Sequence, residues 1–343
     1  MRRFGCVTIA ILICIAGPAL AAEKENVGLK IDQQVMGNYE GSYIDGKKTL
    51  PASAQIVADG QGAFHGTLTI QLDKKSAWTW TVTGQRDGEN PKIPFKGLLA
   101  PGSIFPGTKG WTNGLAGTVD QGAFQGQLGG EKGPKFEMKH VTKQSPTLGA
   151  KPPQGAIVLY QGGDVSTEWT RFPAAWQPVE GDAMQVSHSD IMTRKEFGDC
   201  KLHIEFRTPF MPDARGQGRG NSGVYVQGRY EVQVLDSFGL PPSPGDCGGI
   251  YGLSVPLANA SLPPTEWQTY DITFRAPRFD AAGKKTEDAV LTVVHNGVTI
   301  HDRVKLPKTT PGGVSGEEGA KGPLLLQDHG NAVQYRNIWV LPE

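Results

Sequence analysis

Residues 201–209 read KLHIEFRTP, and Leu202, Ile204 and Phe206 alternate there with Lys201, His203, Glu205 and Arg207. A period of two suits a strand with one buried face and not a helix, whose apolar stripe repeats every 3.6 residues. The pattern recurs in YDITFRAP (270–277), and VQYRNIWVLP (333–342) ends the chain as another strand. AVLTVVHNGVTIHD (289–302) sets two alternating runs around Asn296-Gly297, the strongest short hairpin signal. Helical periodicity is absent over any long stretch, and 46 glycines and 25 prolines in 343 residues keep the runs short. The chain is therefore all-β, and strands at this spacing predict a sandwich or jelly roll after residue 157.

A boundary falls in TKQSPTLGAKPPQGA, residues 142–156, whose prolines, glycines and small polar residues read as a linker. Ahead of it, residues 30–141 form a smaller antiparallel β domain, a barrel or sandwich. There GQGAFHGTL (60–68) and DQGAFQGQL (120–128) each place a glycine turn before a strand with an inward phenylalanine, Phe64 or Phe124. Trp78, Trp80 and Trp111 read as aromatic core, with a sugar-stacking surface as the alternative.

The first 21 residues carry Arg2 and Arg3, an apolar run from Cys6 to Ala16 and the small-x-small site Ala19-Leu20-Ala21. This is the pattern of a secretory signal peptide, too short to span a membrane, and it predicts export to the periplasm or medium. Its removal turns 34 basic and 34 acidic residues into 32 and 34, a charge of −2, which points away from nucleic acid. Cys200 and Cys247 remain, and an exported compartment predicts a disulfide between them worth about 4 kcal/mol in the chain-entropy model.

Strand alternation puts His203, Glu205 and Arg207 on one face, about 7 Å apart along the chain. In GNSGVYVQGRYEVQVLDSFG (220–239), Val224, Val226, Val232 and Val234 alternate with Tyr225, Gln227, Glu231 and Gln233, and Asn221 precedes them. Gln327, Asp328 and His329 follow the apolar run Leu324-Leu325-Leu326, where a strand gives way to a loop. Acids, amides, a histidine and an arginine beside Tyr225, Tyr251 and Trp267 suit a carbohydrate cleft. A solvated sheet face is the plain alternative for His203, Glu205 and Arg207. No spacing demands a cofactor. A divalent metal held by His203, Glu205, Asp328 and His329 stays open.

GNSGVYVQGRYEVQVLDSFG, together with GDCGGIYG (245–252), EWQTYDITFRAPRFD (266–280) and GPLLLQDHGNAVQYRNIWV (322–340), resembles the 3-keto-disaccharide hydrolase family. SPTLGAKPP (145–153) resembles the linker that precedes this domain in multi-domain members. The resemblance implies a concanavalin A-like jelly-roll sandwich, exported, acting on 3-keto-glycosides supplied by a sugar 3-oxidoreductase. A C3 ketone acidifies the C2 hydrogen, so a base removes it, the aglycone leaves C1, and water adds to the enone. That chemistry needs a base, an acid and an enolate donor. By residue type the base is His203 or Glu231, the acid His329 or Glu205, and Arg207 with Asn221 faces the enolate. Tyr225, Gln227, Gln233, Gln327 and Asp328 complete the substrate contacts. Conventional hydrolysis by Glu205 and Glu231 is the rival, against which stands Gln233 where glucanases of this fold carry an acid. A non-catalytic lectin-like module is the third reading.

Overall fold

The structure, a computed structural model, describes residues 27–101, 114–170 and 176–343. Residues 1–26, which include the expected signal peptide with Cys6 and Cys14, lie outside the described residues, as does Trp111. After a short helix over 27–35, eight antiparallel strands close into a barrel. They are β1 (Gly37–Asp45), β2 (Lys48–Ala58), β3 (Ala63–Gln71), β4 (Ala77–Gln85), β5 (Ile93–Leu99), β6 (Gly114–Asp120), β7 (Ala123–Leu128) and β8 (Lys135–Val141). Pairing of β1 with β8 removes both sheet edges. The similar sequences at 60–68 and 120–128 make equivalent hairpins. Gln61 and Gly62 in one, Gln121 and Gly122 in the other, all take positive φ, as tight hairpin turns require. Phe64 and Phe124 point into the barrel, and so do Trp78 and Trp80, which are buried core.

The second half holds β9 (Ile157–Tyr160), β10 (Trp169–Thr170), β11 (Gln177–Val179), β12 (Ala183–Gln185), β13 (Ile191–Phe197), β14 (Cys200–Arg207), β15 (Ser222–Val226) and β16 (Tyr230–Val234). It continues with β17 (Gln268–Arg275), β18 (Arg278–Phe279), β19 (Lys285–Glu287), β20 (Ala289–His295), β21 (Val298–Leu306), β22 (Gly322–Leu326) and β23 (Gln334–Pro342). The smaller sheet runs β10-β13-β22-β15-β16 and the larger β11-β12-β23-β14-β17-β20-β21, with β9 added beside β23. Asn296 and Gly297 make the β20–β21 turn, both at positive φ. Leu202, Ile204 and Phe206 from the larger sheet share one core with Val224, Val226, Val232 and Val234 from the smaller. Each such side chain, fully buried, contributes about 1.5–3 kcal/mol, so these alternating residues set which face of each strand turns inward.

Two expectations change here. Residues 142–156 are not a free tether, for they lie across the outer face of the larger sheet. Ser145 Oγ is 2.6 Å from Thr269 Oγ1, and Thr147 Oγ1 donates to Asp271 Oδ2 at 2.6 Å. The Gly149 N–H donates to Glu205 Oε1 at 2.6 Å, and Asn337 Nδ2 to the Ala150 carbonyl at 3.0 Å.

The disulfide is absent, since Cys200 and Cys247 are both free and buried. Cys200 pairs with Phe274, whereas Cys247 Sγ sits 3.1 Å from the Tyr270 hydroxyl, four residues away along β17. The two thiols thus sit at different places along β17 and do not bond to each other. Burial pushes the Cys200 thiol up to about 12 and raises Cys247 as well, so neither forms thiolate readily. A thiol reagent should leave both unmodified in the native chain and label both after denaturation. A change in gel mobility on reduction would instead reveal a bridge.

Candidate active site

The predicted site residues fall into two groups with the hydrophobic core between them. On β14, His203 and Glu205 face away from the core, yet the covering segment 145–150 leaves them only 0 % and 1 % exposed. His203 Nδ1 is 2.6 Å from Asp271 Oδ1, its cross-strand neighbour, and its ring stacks on Trp339. Burial lowers the histidine's proton affinity, but bonds to Asp271 and Glu205 reverse this and raise its pKa. Burial likewise favours the neutral form of Glu205. His203, Asn337, the Gly149 N–H and Arg336 overcome that and hold it at about 2. Arg207 donates to Gln334 Oε1 at 2.8 Å and lies over Trp267, which Arg336 also covers. His203 and Glu205 are thus held by Asp271, Asn337, Arg336 and segment 145–150, and a 380 Å³ cavity lined by Asp182, Glu205, Arg336 and Asn337 adjoins them.

The other group stands on the outer face of the smaller sheet. In the β15–β16 hairpin Tyr225 is opposite Glu231 and Gly223 opposite Gln233, so these side chains share the face turned away from the valines. The Tyr225 hydroxyl donates to Glu231 Oε2 at 2.8 Å, and Gln327 Nε2 donates to that hydroxyl at 3.1 Å. Glu231 is 2 % exposed and pairs with no cation among the described residues; burial pushes its carboxyl up to about 7, with the Tyr225 bond opposing. Asn221 gives its Nδ2 to the Gln217 carbonyl at 2.8 Å, and its N–H goes to Asn331 Oδ1 at 2.8 Å. Asn221 Oδ1 and Gln327 Oε1 are buried without a protein donor. A 340 Å³ cavity lined by Tyr251, Thr310, Pro311 and Gly312 adjoins the cluster. The Pro311 carbonyl accepts from Tyr225, and the Glu231 N–H donates to Thr310 Oγ1.

Catalytic candidates Glu231 and His329 therefore stand apart from His203 and Glu205, and the paired carboxylates Glu205 and Glu231 cannot flank one bond. The four-residue metal set is divided in the same way, with His203 and Glu205 on one side and Asp328 and His329 on the other. Among the described residues no group of three or more His, Cys, Asp or Glu converges to hold an ion. Gln227 lies in the hairpin turn at positive φ and donates to the carbonyls of Phe197 and Ala320, away from Tyr225 and Glu231. Asp328 binds the Gly330 N–H while its own N–H reaches Asp190 Oδ1, and His329 is exposed on that loop. Gln217, Asn331, Asp190 and the loop at Thr310–Gly312 come to the site from distant segments without any periodic signal in the sequence.

Gly223 is required by this geometry. A Cβ there would lie 2.5 Å from Glu231 Oε1 and 2.9 Å from the Tyr225 ring. Gly223→Ala should displace the carboxylate and cut turnover at least tenfold while the far-ultraviolet dichroism stays native. Unchanged kcat would place the chemistry elsewhere.

Fold and site together define a two-part antiparallel β protein whose C-terminal sandwich presents one desolvated carboxylate among amides and tyrosines on its smaller sheet. Residues 155–341, more than half of the chain, match the 3-keto-alpha-glucoside-1,2-lyase-like domain, and the chain belongs to that family. Among solved structures it is similar to a candidate glycosyl hydrolase from Parabacteroides distasonis at 35% identity and a TM-score of 0.52. That alignment covers 59% of this chain and 91% of the other. A second candidate glycosyl hydrolase from the same organism aligns at 19% identity with a TM-score of 0.40, over 55% of this chain and 99% of the other. No curated protein matches the chain.

Proposed function

We propose that this chain is an exported enzyme that cleaves 3-keto-glycosides by β-elimination and hydration on the Glu231 face of a concanavalin A-like jelly roll. The observation that carries the reading is Glu231, a carboxyl raised to about 7 with a tyrosine as its hydrogen-bond donor. A base is most effective when its pKa lies near the working pH. Family membership and the similarity to a candidate glycosyl hydrolase support a sugar substrate. So do the two acceptors without a protein donor, Asn221 Oδ1 and Gln327 Oε1, each of which costs about 1–3 kcal/mol unless a water or a ligand hydroxyl donates to it.

In this mechanism Glu231 takes the C2 proton. The electron pair forms the C1–C2 double bond, conjugated with the C3 ketone, as the bond from C1 to the aglycone oxygen breaks. His329 supplies the proton to that oxygen. Water then adds its oxygen to C1 and gives its proton to His329, and Glu231, its proton exchanged with solvent, protonates C2, leaving a free 3-keto sugar. The substrate must come from an oxidoreductase acting on a C3 hydroxyl.

The test is turnover of p-nitrophenyl 3-keto-glucoside against the parent glucoside, run in D2O. Elimination releases nitrophenol from the keto sugar only and leaves deuterium at C2 of the product. Cleavage of both without deuterium would indicate conventional hydrolysis, and binding without turnover a lectin. The rate kcat/KM should rise with pH through about 7 as Glu231 loses its proton.

A further inference from the structure

The barrel meets the sandwich near the Glu231 site through residues 210–219 and 236–239. Phe238, two residues past Asp236, is buried within the barrel's apolar core, and Phe210 packs against that core. The approach is close enough to exclude side chains. A Cβ on Gly60, at φ +80 in the β2–β3 turn, would lie 2.1 Å from Asp213 Oδ1, and one on Gly239 2.7 Å from Val57. Beside this contact Arg219 is 6 % exposed. Its Nε donates to Asp236 Oδ2 at 2.7 Å, and its Nη1 donates to the barrel carbonyl of Ala58 at 3.1 Å. Gln61 of the barrel rim reaches Asp213 at 3.2 Å.

The segment so held enters the site directly. Gln217, two residues before Arg219, accepts through Oε1 from Gln233 Nε2 at 3.0 Å and Asn221 Nδ2 at 3.2 Å, and its Nε2 donates to the Gly245 carbonyl. Asn221 and Gln233 thus owe their orientation to Gln217, and Gln217 to a segment fastened at Asp213 and Arg219. Trp78 and Trp80 are buried inside the barrel, which leaves them no stacking role toward sugar.

We infer that the barrel is a positioning element for the Glu231 site, acting through the Arg219 clamp on Gln217 and thereby on Asn221 and Gln233. The inference rests on the Glu231 face being the substrate site. Arg219 and Gln217 are positioning residues, and a buried guanidinium with two fixed acceptors holds direction better than a lysine would.

The test uses the full chain with Arg219→Lys and, on the barrel's rim, Gln61→Ala combined with Asp59→Ala, whose carboxylate lies 3.6 Å from Arg215 of the clamped segment. Hydrogen exchange is followed at the amides of 216–222 and 201–206, alongside KM and kcat on the 3-keto-glucoside. Faster exchange confined to 216–222, at least fivefold, is expected, with KM raised 3- to 10-fold and the pH limb near 7 unmoved. Combination with Gln217→Ala should add little further to KM, because both changes act on one contact chain. Unaltered exchange overturns the inference, as does a rise equal in both segments, which would mean general destabilisation. A local rise with KM unmoved overturns it too. Should the wild-type chain not turn over the keto sugar, the functional reading fails by itself, while the exchange comparison still decides whether the barrel orders 216–222.

Discussion

Glu231→Gln should lower turnover of a 3-keto-glucoside by about 10²–10⁴-fold, the usual contribution of a positioned general base, and should also make the protein more stable above neutral pH. The two effects have one cause. Glu231 is buried with no cationic partner among the described residues, and burial lifts its carboxyl from the ordinary value to about 7. Its folded pKa exceeds the unfolded one, so the folded state binds the proton more tightly. That advantage is fully present below about pH 4.5 and is lost as the pH rises through 7, where the folded protein must hold a desolvated anion. A glutamine keeps the shape, still accepts from the Tyr225 hydroxyl and never ionises. The wild-type deficit at pH 8 is about 3 kcal/mol. Thermal unfolding at pH 5 and pH 8 measures it. The variant should melt several degrees above wild type at pH 8, and the gap should close at pH 5. A variant that retained turnover within tenfold would remove Glu231 from the chemistry. Gain of stability with loss of rate is the expected mark of a strained active-site group.

The parts of the molecule legible in the sequence are those governed by period and turn chemistry. Leu202, Ile204 and Phe206 face inward on β14, and Val224, Val226, Val232 and Val234 face inward on β15 and β16, as alternation requires. Asn296-Gly297 turns where its φ preferences allow. Alternation also placed Tyr225, Glu231 and Gln233 on one outer face. It does not say which outer face lies open. His203 and Glu205 carry the same pattern of polar residues between apolar ones, and only the path of residues 145–150 across them turns a would-be cleft into a covered network. That path depends on contacts more than a hundred residues apart, such as Thr147 with Asp271, and linker composition carries no trace of them. Cys200 and Cys247 mislead for a related reason. Compartment chemistry speaks to whether thiols oxidise, whereas register along β17 decides whether they meet.

Glu205→Ala should cost about 3–5 kcal/mol of stability and leave kcat of the folded protein unchanged, the reverse of what an acid in the active site would show. The carboxylate is 1 % exposed and is bound by Arg336 at 2.7 Å, Asn337 at 2.9 Å and the Gly149 N–H at 2.6 Å, with His203 Nε2 3.6 Å away. Truncation leaves these donors and the partly buried Arg336 without their acceptor, and it loosens segment 145–150 from the sheet. The pH dependence carries the opposite sign from that of Glu231. Here the folded pKa is depressed to about 2, so the stabilisation is fully present above about pH 4.5 and is lost as the pH falls toward 2. His203, whose pKa is raised, adds stability below about pH 6.5 that fades as the pH climbs through its folded value. The network should therefore be strongest between about pH 4.5 and 6.5. Denaturant unfolding of wild type and Glu205→Gln from pH 3 to 8 measures this, and the variant should lack the acid limb. Turnover assayed under strongly folding conditions separates the two faces of the sandwich. If Glu205→Gln unfolded like wild type but lost a hundredfold in kcat, the catalytic face would be that of the larger sheet, and Glu231 the structural carboxylate.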